Sequence, residues 1–258
     1  MNGLLLKVLL FALIPAALAS AGGAIAAFRP PGPRARSYLQ HFAAGVVFSV
    51  VGVELLPDIV RVHAPLQVVI GFSLGILAML GIRSFTRKLE GEGGGVEGDG
   101  EKADGEKTKS EEGKRSPMAL VVAVGVDVLI DGFLVGIGFA AGAKEGMMLT
   151  AALSVELLSL GLATAAALRK ANVGRGRTIA TTSGLALLIV LGAGVGATLL
   201  HGMSERALEV VLSFGLASLM FLVTEELLVE AHEEPETPLS TAMFFVGFLI
   251  FLIVGMTA

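Results

Sequence analysis

Residues 118–141 read MALVVAVGVDVLIDGFLVGIGFAA, and apart from Asp127 and Asp131 every side chain in the run is uncharged and either apolar or small. A helix rises 1.5 Å per residue, so a run of this length crosses the roughly 30 Å hydrocarbon core of a bilayer, which about 20 residues span. Working outward, comparable runs lie at 3–27, 38–60, 65–82, 146–168, 178–200, 207–230 and 239–257. Their continuous apolar character excludes a transmembrane barrel, whose strands alternate in polarity, and leaves helices to satisfy the backbone in lipid. With 54% hydrophobic and only 16% charged residues, the chain reads as an all-α polytopic membrane protein of eight transmembrane helices.

The charges fall unevenly. Residues 86–116 are rich in Gly, Glu and Lys and almost free of large apolar side chains, so they are expected to form a disordered cytoplasmic loop. It separates the first three spans (1–85) from the last five (117–258), all within a single membrane domain. Fifteen of the 19 Lys and Arg residues fall in the segments after spans one, three and five, which the positive-inside rule places in the cytoplasm. Both termini are then outside, and a plasma membrane location is expected. The alternative reading of the start as a cleaved leader, with small residues from Ala16 to Ala21, would instead leave Arg29, Arg34 and Arg36 outside.

Acids inside the spans carry the functional signal. An ionised carboxylate at the bilayer centre costs roughly 2.5 to 3.5 kcal/mol on insertion scales, yet Asp127, Asp131 and Glu156 are expected near mid-depth, the first two one helical turn apart. No Lys, Arg or His falls in the middle of a span. These acids therefore either bind a cation from solution or remain protonated, as structural groups or proton relays. Two more i, i+4 pairs flank them: Glu54 with Asp58 toward the outside, and Glu226 with Glu230 toward the inside. The three sets read as stepping sites for a positive ion. With no cysteine in the chain, ligands are limited to carboxylate, imidazole and backbone groups.

These segments resemble the ZIP (Zrt/Irt-like) family of divalent metal transporters. Val126-Asp127-Val128-Leu129-Ile130-Asp131-Gly132-Phe133 is similar to the family's His-Asn-x-Pro-(Glu/Asp)-Gly-Leu signature. Val155-Glu156-Leu157-Leu158-Ser159-Leu160-Gly161-Leu162-Ala163 resembles its companion motif. Glu54-Leu55-Leu56-Pro57-Asp58 and Glu226-Leu227-Leu228-Val229-Glu230-Ala231-His232 resemble two further family segments, which adds His232 to the transport route. Asp127 and Glu156 stand where the family has histidines, Ile130 and Ser159 where it has prolines, and Leu187 where the sixth helix often supplies a glutamate. The resemblance thus implies a ZIP-like bundle with one compact metal site of Asp127, Asp131 and Glu156, completed by Ser159, backbone carbonyls and water. All-oxygen ligands suit manganese, magnesium, ferrous iron or calcium, while zinc and cobalt also bind carboxylates.

The first expectation is therefore a divalent metal carrier working inward, with the lipid bilayer and divalent ions as partners, no cofactor beyond the transported ion, and no nucleic acid. A homodimer stays open. The second is a ZIP-like protein that has lost transition-metal transport and serves as a proton-linked transporter of another ion or as a scaffold. An intramembrane enzyme is disfavoured, because no histidine, cysteine or other nucleophile and base pair lies at mid-span depth.

Overall fold

The computed structural model describes residues 2–92, 117–200 and 203–257. Among them are eight helices long and apolar enough to cross a membrane: α1 (Gly3–Phe28), α2 (Pro33–Val62), α3 (Pro65–Thr86), α4 (Pro117–Ala141), α5 (Ala143–Lys170), α6 (Arg175–Leu199), α7 (Arg206–Ala231) and α8 (Pro238–Thr257). The described residues contain no strand. The helix of α3 itself continues to Glu92, past the expected boundary at 85. The rest of the segment expected to be a disordered loop, 93–116, lies outside the described residues, as does His201.

Four tight pairings build the bundle: α1 with α5, α4 with α6, α2 with α8, and α3 with α7. Exchanging α1 with α6, α2 with α7, α3 with α8 and α4 with α5 turns this set of pairs into itself, which is the pattern of an inverted repeat. Glycines face one another across these seams. A Cβ on Gly22 would meet the Leu158 carbonyl at 2.5 Å, and one on Gly161 the Ala19 carbonyl at 2.2 Å. Gly45 and Gly247 stand in the same relation across α2 and α8, and Gly132 with Gly192 and Gly136 with Gly196 across α4 and α6. Gly71 and Gly75 lie against the Val210 and Phe214 carbonyls of α7. Small residues let backbones approach this closely, which is how helices associate where lipid removes the hydrophobic drive. Gly142 instead sits in the α4–α5 turn against Glu145.

Two helices widen where they carry acids. Val51–Leu55 in α2 and Leu222–Leu227 in α7 are π-helical turns, holding Glu54 and Glu226 respectively. Helix α6 is also interrupted, between Ala186 and Leu188. Helices α4 and α5 run unbroken, as expected from their lack of motif prolines.

Candidate functional site

Helices α4 and α5 are antiparallel neighbours joined by the short turn at Gly142. Their outer sides are held by α6 and α1 through the glycine seams, which leaves the acid-bearing faces turned toward each other. Asp127, Asp131 and Glu156 meet there: each offers a carboxylate oxygen, and these atoms lie within 4.8 Å of one another. Hard divalent ions bind oxygen at about 2.0 to 2.6 Å, so two oxygens on opposite sides of one ion stand about 4 to 5 Å apart. The spacing matches that span.

Burial is severe. Asp131 is 1% exposed and Glu156 2%, and Asp131 Oδ2 and Glu156 Oε2 are sealed from solvent with no hydrogen-bond partner. Among the described residues no ion pair reaches any of the three acids. A buried charge without a counter-charge is strongly destabilising, so the cluster holds protons or a cation. Ser159 is buried one turn beyond Glu156 and forms no hydrogen bond with the carboxylates.

A fourth acid reaches this cluster. Glu226, carried on the π-helical turn of α7, lies beside Asp127. Sequence reasoning placed Glu226 with Glu230 near the inner face, because in a regular helix the two are i, i+4 neighbours. The structure carries Glu226 inward to the centre and leaves Glu230 at the mouth, where Gln40 donates a hydrogen bond to its Oε2. His232 lies close by, its ring 5.1 Å from that of buried His41, and its Nε2 is 2.7 Å from Glu236. A cavity of about 450 Å³ opens at this end. Glu230 and Glu233 line it with Arg36 and Lys170, and it extends inward to Val124 and Leu160, each about one turn from a central acid.

Glu54 and Asp58 lie at the opposite end of the bundle, beside a separate cavity of about 300 Å³. Glu54 is paired with Lys144 and Asp58 with Arg61, both at 3.6 Å. One further acid escaped the sequence reading. Glu209, one turn into α7, is 3% exposed with Oε1 unpartnered, and Asp58 is the charged neighbour acting on it. Its position at the start of an apolar run resembled a solvated helix end, and the only available signal was its helical phase.

The sequence profile of the ZIP zinc transporter family matches residues 86–255, about two thirds of the chain and both acid-bearing central helices. The chain belongs to the ZIP family. A ZIP protein is an integral membrane transporter of divalent metal ions, not an enzyme, and the eight apolar helices agree with that assignment. Among curated proteins none matches the chain. Within this ZIP protein, Leu187 is 58% exposed at the interruption of α6, and its side chain has no ligand atom. Glu226 from α7 is a carboxylate that approaches Asp127.

Proposed function

We propose that this ZIP protein carries divalent cations into the cytoplasm, with Asp127, Asp131 and Glu156 as the ligands at the membrane centre and Ser159 beside them. One observation carries the reading: three carboxylates converge within 4.8 Å, two of their oxygens are sealed and unpartnered, and among the described residues no basic side chain pairs with them. Glu54 and Asp58 receive the ion at the outer mouth. Glu226, Glu230 and His232 pass it to the inner cavity. The basic segments following α1, α3 and α5 favour an orientation with both termini outside, in the plasma membrane, with a homodimer as a compatible assembly. Oxygen ligands without imidazole favour manganese, magnesium, ferrous iron or calcium over zinc.

The test is a metal panel in liposomes containing the purified protein. Uptake of manganese or ferrous iron above that of zinc, abolished by Asp127→Ala, is the expected result; equal uptake with and without Asp127 removes the central site from the route. A specific observation favours a second reading, proton-linked transport of another ion. Asp127 and Glu226 lie side by side, and two adjacent carboxyl groups can share a proton, which a transporter coupled to protons would use. A pH gradient driving ion uptake without divalent metal distinguishes it.

A further inference from the structure

The outer cavity contains a cation supplied by the protein itself. Glu54, carried on the π-helical turn of α2, is 8% exposed, and its Oε2 lies 3.6 Å from Lys144 Nζ. The same ammonium donates a 2.8 Å hydrogen bond to the Gly255 carbonyl near the end of α8. Gly255 is pressed against the acid, since a Cβ there would fall 2.6 Å from Glu54 Oε1. Lys144 belongs to the first turn of α5, so one side chain ties α5, α2 and α8 together at the mouth. The lining of the cavity includes Glu54, Asp58 and Glu145 against Arg61 and Lys144, which leaves one net negative charge.

Resting on the outer-mouth reading above, we propose that Lys144 is a tethered competitor: its ammonium occupies the Glu54 carboxylate until an arriving divalent cation displaces it. A divalent ion brings twice the charge of the ammonium and would take up Glu54 and the Gly255 carbonyl, the two oxygens that the ammonium now contacts, with Asp58 lining the same cavity, whereas the ammonium is a point charge on a flexible stem. Lys144 is 41% exposed at its side chain, so it leaves toward water without crossing the core. The occupied state discriminates against monovalent ions, which add no charge over the group they would displace. Lys144 thereby sets the concentration at which metal is captured and excludes weaker competitors.

Two measurements test this. In proteoliposomes, Lys144→Met lowers the external manganese concentration for half-maximal uptake by about 3- to 10-fold, the effect of removing one positive charge beside a divalent ion in a wet site; Lys144→Arg retains the parent value. In Glu54→Gln the Lys144→Met change has no effect. The second measurement needs no transport. Acetylation of Lys144, followed by mass spectrometry on the full purified chain, speeds up when manganese is added to the parent and not when it is added to Glu54→Gln. Manganese that leaves the acetylation rate unchanged or slows it overturns the proposal, as does an identical Lys144→Met shift with and without Glu54. Asp131→Asn separates this from the central-site reading: acetylation that still responds to manganese in that variant places the displacement at the outer mouth, whatever the centre binds.

Discussion

Asp131 of α4 and Glu156 of α5 each keep one carboxylate oxygen sealed from solvent and unpartnered, in the same cluster between antiparallel helices. Two such groups repel when both are ionised, and a bound divalent ion converts the repulsion into binding. When both are ionised with no cation between them, the pair weighs against the fold.

Asp131→Asn should therefore separate stability from binding. Removing one buried charge raises the melting temperature of the metal-free protein or leaves it unchanged. It also removes most of the stabilisation that millimolar manganese gives the parent, which scales as RT ln(1 + [L]/Kd). Thermal melts in detergent with and without manganese read both effects. The parent's metal-dependent gain should shrink as the solution is acidified, because protons compete with metal for the same oxygens. A variant that keeps the full gain removes Asp131 from the ligand set.

Exchanging Asp127 and Glu156 together for histidine puts imidazole nitrogen beside Asp131. Zinc accepts that ligand readily, whereas manganese and magnesium favour oxygen. The ratio of zinc to manganese uptake should rise by about tenfold, a change of roughly 1.4 kcal/mol in relative binding. An unchanged ratio with intact uptake would mean that ligand hardness does not set selectivity here.

The glycine seams predict opposite outcomes for two similar changes in α6. A Cβ on Gly192 would lie 2.1 Å from the Leu129 carbonyl, so Gly192→Ala forces backbone apart and should cost about 1 to 3 kcal/mol. Gly184 has nothing within 4 Å of its Cβ position, so Gly184→Ala should be neutral or gain up to about 1 kcal/mol from the lower entropy of the unfolded chain. Chemical denaturation of the two variants side by side gives the comparison.

The spans were legible from the sequence because a continuous apolar run of the right length has few alternative structures in lipid. Asp127, Asp131 and Glu156 were legible for the same reason: an acid in the middle of such a run is conspicuous. The approach of Glu226 to Asp127 was not, since it depends on a π-helical turn at Leu222–Leu227 that alters the phase of α7 and is fixed by neighbouring helices. The Glu54–Lys144 pair joins residues 90 positions apart, and no local spacing announces it. Glu209 is recognised only by its burial, since Asp58, the charged group near it, lies on another helix.

Because the chain contains no cysteine, orientation is directly measurable with single replacements. Met203→Cys, before α7, should react with a membrane-impermeant maleimide applied to intact cells. Gly174→Cys, between α5 and α6, should react only after the membrane is permeabilised. Gly174 has open space around its Cβ position, so the replacement is well tolerated. The reverse labelling pattern would invert the topology and with it the inferred direction of transport.

The glycine seams also divide the molecule mechanically. Where two backbones touch, no rotamer can change to let one helix slide past the other, so α1 with α5 and α4 with α6 behave as stitched ribs, as do α2 with α8 and α3 with α7. Any slip that alternately opens the two ends must run along faces where only side chains meet, and the contact of α4 with α7 is one of them. Asp127 of α4 and Glu226 of α7 face each other across that contact, so a proton shared by the two carboxyl groups would act as a catch between two otherwise separately stitched pairs.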